Sequence, residues 1–119
     1  MTRAERVAEL IKSEISQLLR VKINDPRIGF TSITRVDVTG DLKNAKVYFS
    51  VYENEERKKS TMDGLLSAKK FIRASIAPHL ELKFMPELDF KLDNSIEHAS
   101  KVYEIMNKLG DEKPKRKRK

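Results

Sequence analysis

Apolar and polar residues alternate along two neighbouring stretches, and this pattern predicts a β-hairpin. In residues 45–51 every second side chain is apolar, a period of two that is typical of a strand with one buried face. In residues 31–39 the valines share the parity of Phe30, which predicts that all of them face the same side. Gly40-Asp41 lies between the stretches, where a hairpin turn needs a residue that tolerates positive φ. A proline and a glycine in residues 26–29 predict a turn before the first strand.

Apolar residues at helical spacing predict an amphipathic helix ahead of the hairpin, from about residue 4 to Arg20. Thr2 and Glu5, three residues apart, have the pattern of a capping box at the start of this helix. A two-stranded hairpin is not stable in water unless another element packs on it. We therefore expect the apolar face of the helix to pack on the strands.

A second helix is predicted after the polar segment 53–59. Ser60-Thr61-Met62-Asp63 offers a cap at its start, and it should end before Pro78, because proline disfavours helical backbone in the residue that precedes it. Its exposed arc carries three cations within five residues, at Lys69, Lys70 and Arg73.

A long alternation over residues 80–92 predicts the third strand, with Phe84 among its buried side chains. Pro86 interrupts this run, and proline cannot donate to a β-ladder, so we expect a bulge or an edge position there. Residues 93–95 then cap a last helix over 96–109. The order helix, strand, strand, helix (one or two in series), strand, helix predicts an α+β domain with helices on one face of a three-stranded sheet.

Length and composition predict one domain, residues 1–110, followed by a disordered basic tail, residues 111–119. The absence of cysteine excludes disulfides and thiolate metal sites. No apolar run approaches the roughly 20 residues of a membrane span, and the N-terminus does not have the pattern of a signal peptide. We expect a cytoplasmic protein with no membrane partner.

The net charge is +7, and the tail, with six cations and two anions, carries +4 of it. Such a polycation attracts nucleic acid through counterion release, without choosing a sequence. A tail that merely keeps the protein soluble is an equally good explanation of this segment taken alone.

Catalysis finds little support in the sequence. Ser95 and His98 lie three residues apart on the last predicted helix, but no third orienting group accompanies them. A helix cap and a surface histidine explain the pair better. No metal-ligand spacing and no glycine-rich phosphate loop occur. We therefore expect no enzyme activity, no metal and no cofactor.

Nucleic-acid binding is the better hypothesis, because cations cluster early in the chain, on the second helix and in the tail. The chain has few aromatic residues, and Phe49, Phe84 and Phe90 are predicted to be buried. Base stacking on a sheet face is therefore not the expected mode of binding. The expected mode is contact with phosphates together with recognition of RNA shape.

Several motifs in order and in register identify a resemblance to a known family. They are Asp25-Pro26-Arg27-Ile28-Gly29, Val36-Asp37-Val38, Asp41-Leu42, Ala45-Lys46-Val47-Tyr48 and Met85-Pro86-Glu87-Leu88, with Phe90, Asp93 and Ser95. Over about residues 3–109 the chain resembles the bacterial ribosome-binding factor A family.

The resemblance implies a type II KH-like fold, α-β-β-α-(kink)-α-β-α. It also implies a non-catalytic factor that binds the free small (30S) ribosomal subunit and aids processing of its 16S rRNA, including near the 5′ end and notably in the cold. In this family a helix-kink-helix with Ala-x-Gly at the kink replaces the usual Gly-x-x-Gly loop of KH domains. Ala68-Lys69-Lys70 matches that kink here, with lysine where glycine is usual.

The resemblance makes Ala68, Lys69, Lys70 and Arg73 the candidate groove residues. With the early arginines and the tail, the predicted RNA-binding residues are Ala68, Lys69, Lys70, Arg73, Arg27, Arg3, Arg6, Lys115, Arg116, Lys117, Arg118 and Lys119. The expected partner is the small subunit with its 16S rRNA, bound by a monomer. The alternative is a general nucleic-acid-binding small basic protein that owes most of its affinity to the tail.

Overall fold

A computed structural model describes residues 1–21, 23 and 25–93. The elements are, in chain order, α1 (Arg3–Val21), β1 (Thr31–Val38), β2 (Asn44–Val51), α2 (Glu55–Leu80) and β3 (Glu87–Leu92). This confirms the predicted α+β order as far as the third strand. The predicted helix over 96–109, the pair Ser95 and His98, and the tail over 111–119 lie outside the described residues.

The three strands form one mixed sheet in the order β1-β2-β3. β1 and β2 are antiparallel, with Val36 opposite Val47, whereas β2 and β3 are parallel, with Ala45 opposite Leu88. The apolar side chains of all three strands face the helices, as predicted. The core consists of Val7, Ala8, Ile11, Ile15, Leu18, Ile33, Val36, Ala45, Val47, Phe49, Val51, Leu65, Ile72, Ile76, Leu80, Leu88 and Phe90.

The start of α1 is the predicted capping box. The Glu5 backbone N–H donates to Thr2 Oγ1 at 3.1 Å, and the Thr2 backbone N–H donates to Glu5 Oε1 at 2.7 Å. This reciprocal pair satisfies backbone donors that the first turn of a helix leaves without a partner.

A β-bulge changes which residues of β1 face the core. The pairing with β2 shifts between Ile33 and Arg35, so that Thr34 is an extra residue. Ile33 and Val36 therefore both face the helices, and Phe30, before the bulge, is turned to the opposite side and is 71% exposed. The predicted common side of Phe30 and the valines is wrong for this reason.

The hairpin is confirmed, but its positive φ falls on Leu42 (φ 62°) and not on Gly40-Asp41. The Thr39 backbone N–H donates to the Asn44 carbonyl at 2.9 Å, so the loop is four residues long. A left-handed residue at this point lets the longer loop turn back. The Leu42 side chain packs against the edge of the core, which offsets the conformational cost.

Helix α2 begins five residues before the predicted start. Asn54 is its cap, with Oδ1 accepting from the Arg57 backbone N–H at 2.9 Å. The segment 53–59 was predicted to be a polar connection, but from Glu55 onward it consists of strong helix formers, with carboxylates at the positive end of the helix dipole. The prediction was wrong because it equated polarity with loop.

The same helix continues past its predicted break and its predicted end. It runs without interruption through Ala68-Lys69-Lys70, where lysine stands in place of glycine and favours continued helix by up to about 1 kcal/mol. Pro78 lies inside the last turn, where its ring removes a single helical hydrogen bond. Glu81 then ends the helix in a left-handed conformation (φ 53°).

Strand β3 is about half as long as its predicted alternation. Leu80 is buried as the last residue of α2, and Phe84 is 76% exposed, which contradicts its predicted burial. Pro86 is buried immediately before the strand and not at a bulge, and the strand that it precedes lies at the edge of the sheet, which is the second of the two predicted positions. The predicted period of two therefore holds only from Glu87 onward.

Candidate nucleic-acid interface

Residues 25–30, here called the entry loop, pack against the N-terminal half of α2, residues 55–67. Within the loop, Arg27 binds Asp25 with two nitrogens: Nη2 lies 2.7 Å from Oδ2 and Nε lies 3.1 Å from Oδ1. These side-chain hydrogen bonds, followed by the one from the Arg27 backbone N–H, lower the pKa of Asp25 to about 2. Arg27 Nη1 also donates to Ser67 Oγ at 3.2 Å, which fixes the guanidinium beside α2.

Hydrogen bonds from α2 side chains attach the backbone of the entry loop. Thr61 Oγ1 accepts from the Gly29 N–H at 2.9 Å, and Ser60 Oγ donates to the Arg27 carbonyl at 2.7 Å. Arg57 Nη1 donates to the Pro26 carbonyl at 3.1 Å. The loop backbone is therefore held at several successive residues.

Two glycines allow this close packing. A Cβ at Gly64 would lie 2.7 Å from Ile28 Cγ1, closer than carbon atoms can approach. A Cβ at Gly29 would meet the Glu53 carboxylate, which accepts from the Phe30 N–H. That backbone hydrogen bond, followed by the charge of Arg57, lowers the pKa of Glu53.

In the C-terminal half of α2, residues 68–80, two cations converge on one carboxylate at the start of β3. Lys69 and Arg73 share a side of the helix because they are four residues apart. Lys69 Nζ lies 3.1 Å from Glu87 Oε2, and Arg73 Nη2 lies 4.0 Å from Glu87 Oε1. Arg73 Nη2 donates to the Met85 carbonyl at 3.2 Å, and Arg73 Nε is buried with no hydrogen-bond partner among the described residues.

The structure brings four of the predicted residues to one stretch of α2. Lys70 is exposed on the turn that carries Lys69 and Arg73, and Arg27 reaches the beginning of that turn through Ser67. We call Arg27, Lys69, Lys70 and Arg73 the basic patch. Lys69 and Arg73 face the start of β3. Arg27 meets α2 at Ser67, roughly 160° around the helix axis from Lys69, so the patch extends around the helix over residues 67–73.

The other predicted site residues do not join this patch in the part of the chain that is described. Ala68 is partly buried and packs against the core, so it supports the helix rather than offering a contact. Arg3 and Arg6 are exposed on the first turns of α1, and no described contact links them to the basic patch. Lys115, Arg116, Lys117, Arg118 and Lys119 lie outside the described residues.

Sequence reasoning missed Glu87 and Phe84 as neighbours of the patch. Phe84 is exposed in the loop between α2 and β3, with Lys83 Nζ 5.8 Å from its ring centroid. The signal was available in the proline at position 86, which ends the preceding loop and places Glu87 at the first position of the strand.

The described residues show no metal site and no membrane segment. Across residues 1–21, 23 and 25–93, no three histidine or carboxylate side chains are grouped as metal ligands would be. His79 Nδ1 lies 2.7 Å from Glu14 Oε1, a contact that joins α2 to α1. No helix in these residues has both the length and the apolar character needed to cross a membrane.

Sequence comparison identifies relatives over almost the whole chain. The family model described as "Ribosome-binding factor A" matches residues 3–106. A protein of that name from Halothermothrix orenii is 43% identical over 110 residues, covering 92% of this chain and 90% of the relative. Another from Thermomicrobium roseum is 41% identical over 111 residues, covering 93% of this chain and 86% of the relative.

Solved structures show the same fold. The crystal structure of ribosome-binding factor A from Thermus thermophilus superposes with a TM-score of 0.67 at 18% identity, covering 76% of this chain and 97% of that one. A solution structure of a Thermotoga maritima protein described as a ribosome binding factor A has a TM-score of 0.58 at 32% identity, covering 74% and 80%. A homology model of the Thermus thermophilus protein, fitted into the cryo-EM map of a 30S complex of ribosome-binding factor A, has a TM-score of 0.64 at 20% identity, covering 78% and 97%.

Proposed function

The chain belongs to the ribosome-binding factor A family, and we propose that it is an assembly factor for the small ribosomal subunit. In this proposal it binds the free 30S subunit and promotes late maturation, including processing of 16S rRNA, without catalysing a reaction. The 30S complex of the Thermus thermophilus protein supports this choice of partner. The factor would act as a monomer in the cytoplasm, with its greatest importance at low temperature.

We further propose that residues 1–110 form a type II KH-like RNA-binding domain and that residues 111–119 are an accessory basic tail. The order α1-β1-β2-α2-β3 supports this assignment. A KH domain usually clamps RNA backbone at a glycine-rich break between two helices. Because α2 is continuous here, backbone approach at that break is replaced in our proposal by side-chain cations that reach the phosphates.

The observation that carries the proposal is the basic patch. Its cations surround a single stretch of α2, and Arg27 is held there by Asp25 and Ser67 before any RNA arrives. A cation that is already positioned loses less conformational freedom when it binds a phosphate. RNA phosphates that follow this face of the helix would therefore be recognised by position as well as by charge.

Two features favour a path along the edge of β3. Arg73 donates to the Met85 carbonyl, and Phe84, the residue before Met85, is exposed. An exposed aromatic ring can stack on an unpaired base, a contact worth about 1–3 kcal/mol per base. We propose that a phosphate binds the cations of α2 while a neighbouring base stacks on Phe84.

Sedimentation with ribosomal particles tests the proposal. Wild-type protein should migrate with free small subunits, and Lys69→Glu/Lys70→Glu/Arg73→Glu should not, because charge reversal repels the phosphates. The matched control is Lys43→Glu/Lys46→Glu/Lys91→Glu, which makes the same change in net charge at exposed positions of the hairpin and the opposite sheet face. This control should retain most of the binding.

A truncation after Gly110 separates this proposal from a general nucleic-acid binder. Loss of the tail should weaken small-subunit binding and make its salt dependence less steep, since fewer phosphates are neutralised. Even distribution over all particles and free RNA, lost on truncation but not in the α2 triple variant, would contradict the proposal and favour tail-driven binding.

A further inference from the structure

We propose that Glu87 is an internal substitute for an RNA phosphate, and that Lys69 and Arg73 exchange its carboxylate for a phosphodiester when RNA binds. This inference rests on the proposed function and assigns a specific phosphate position within it. Glu87 is then a negative regulator of the basic patch, because its negative charge competes with the phosphate for the same cations.

The geometry of the three side chains is that of an anion site. Lys69 Nζ approaches one carboxylate oxygen of Glu87 at 3.1 Å, and Arg73 Nη2 approaches the other at 4.0 Å. A phosphodiester also presents two equivalent oxygens that share one negative charge. The carboxylate of Glu87 therefore occupies the position that one phosphodiester would take between the same two cations.

The contact with Glu87 leaves Arg73 incompletely satisfied. A separation of 4.0 Å allows ionic attraction but is too long for a hydrogen bond. Nη2 donates to the Met85 carbonyl instead, and the buried Nε has no partner among the described residues. Guanidinium groups bind phosphates best with two parallel hydrogen bonds. Arg73 can make such a pair only after its side chain has moved away from its present arrangement.

Glu87 can leave without unfolding the strand. Its backbone is fixed, because its N–H donates to the Lys43 carbonyl at 2.8 Å and its residue pairs with Asn44 in the sheet. Its side chain is 57% exposed. Ion pairs this exposed contribute little to stability, so rotation of the carboxylate into solvent costs little.

The consequence for function is selectivity. An isolated phosphate or a short polyanion must compete with Glu87, which is always present at high effective concentration. RNA that also reaches Lys70 and Arg27 gains contacts elsewhere that make the exchange favourable. Glu87 would thus suppress binding to incorrect RNA more than binding to the correct site, as repulsive elements do in specific interfaces.

Equilibrium binding of the full chain tests this inference, with Glu87→Gln as the variant and Asp89→Asn as the control. Asp89 lies two residues along the same strand, its carboxylate is 3.6 Å from Lys91, and its replacement changes the net charge equally. The probes are purified bacterial small subunits and a single-stranded oligouridine of about 20 nucleotides, long enough to cover one site of this size. Each is titrated at low and at high salt.

We expect Glu87→Gln to tighten binding of both probes at low salt, by about fivefold for small subunits and by more for oligouridine. The advantage should shrink at high salt, because salt screens the exposed pair that the substitution removes. The gain in affinity should also disappear in a Lys69→Gln/Arg73→Gln background, where neither cation remains to pair with Glu87. Asp89→Asn should change binding by less than about twofold.

Two failures remain distinguishable. If wild-type protein binds small subunits and Glu87→Gln binds no tighter than Asp89→Asn, the exchange is refuted while the proposed function stands. If neither wild-type protein nor Glu87→Gln binds small subunits, the proposed function fails and this inference fails with it. A gain that persists in the Lys69→Gln/Arg73→Gln background would also refute the exchange, because Glu87 would then act through net charge alone.

Discussion

The two halves of α2 use the same kinds of side chain for different purposes. In residues 55–67 the polar groups face the entry loop and hold its backbone through successive hydrogen bonds. In residues 68–80 the cations face solvent and the edge of β3, where one exposed carboxylate and one carbonyl are their described partners. Both halves supply core residues, but the polar groups of the first half hold a loop, whereas the cations of the second half are presented to solvent and to β3.

Two arginines show the difference most directly. Arg57 and Arg73 are almost equally exposed, at 36% and 34%. Arg57 donates from Nε to Glu53 at 3.2 Å and from Nη1 to the Pro26 carbonyl at 3.1 Å, whereas Nε of Arg73 has no partner among the described residues. Exposure therefore does not distinguish these two arginines, whereas the number of their donors that have a described partner does.

The largest effect is expected from a larger residue in the first half. Gly64→Val should lower the free energy of unfolding by about 2–3 kcal/mol, since its side chain would collide with Ile28 and push the entry loop away. Chemical denaturation measures this loss. Ala74→Val places the same residue at an exposed position of the second half and should cost less than about 1 kcal/mol, from helix propensity alone. Equal losses in the two variants would contradict the contrast.

A smaller loss is expected from the buried hydroxyl of Thr61. Thr61→Val keeps the shape but leaves the Gly29 N–H without its acceptor, and should cost about 1–2 kcal/mol. The amide of Gly29 should also exchange its hydrogen faster in this variant. Ser67→Ala, which removes a contact to a side chain and none to the loop backbone, should leave that exchange rate unchanged.

Replacing each of the two arginines with glutamine should separate the effect on stability from the effect on small-subunit binding. Arg57→Gln should lower the free energy of unfolding by about 1 kcal/mol, because it loses a hydrogen bond to the loop carbonyl, with little change in small-subunit affinity. Arg73→Gln loses its hydrogen bond to the Met85 carbonyl but also removes the buried Nε that has no described partner, so the two effects should offset to less than about 0.5 kcal/mol of stability. It should weaken affinity about tenfold. Denaturation and sedimentation of both proteins measure the four quantities. Equal changes in stability and equal changes in affinity for Arg57→Gln and Arg73→Gln would contradict the difference between the two halves of α2.

The smallest expected effect is a pH dependence located in the entry loop. The pKa of Asp25 is about 2 in the folded protein, below its ordinary value of 3.8. The unfolded chain therefore binds this proton first, so stability is present above about pH 4 and declines as the pH falls toward 2. Asp25→Asn should decline less steeply over this window in denaturation experiments.

The same flattening is expected for Arg27→Gln, because hydrogen bonds from the Arg27 side chain are the first cause of the lowered pKa. Stability curves for wild type and Asp25→Asn that run parallel between pH 4 and pH 2 would show that this carboxylate does not contribute.

Local chemistry made most of the fold predictable. The capping box at Thr2, the alternation in β2 and the helical spacing of α1 each depend on residues close in sequence, and each is confirmed. The predicted start of α2 was wrong because local helix formers were interpreted as a loop, whereas the error in β1 arose where a contact distant in sequence decided the outcome. The bulge at Thr34 puts Phe30 on the face opposite to the valines, and no residue nearby in the sequence indicates a bulge.

The candidate site was predictable in part. The cations Lys69, Lys70 and Arg73 were found from their spacing on one helix, and the structure brings Arg27 to Ser67 of the same helix. Pro86 indicates where β3 begins, but the contact of Glu87 with Lys69 and Arg73 was not predictable, because β3 meets α2 only in the folded chain. A pattern of charges can show where a surface is basic, but not which carboxylate already occupies it.

The mixed sheet has a consequence for the order of folding. The antiparallel hairpin joins neighbouring strands and needs only a short loop, whereas Ala45 and Leu88, paired in parallel, are separated by the whole of α2. Strand pairings between residues distant in sequence form late, because the entropy cost of closing a long loop must be met before their contacts stabilise the chain. We therefore expect β3 to dock last. A chain still emerging from the ribosome would thus carry Lys69 and Arg73 on α2 before Glu87 is in place to pair with them.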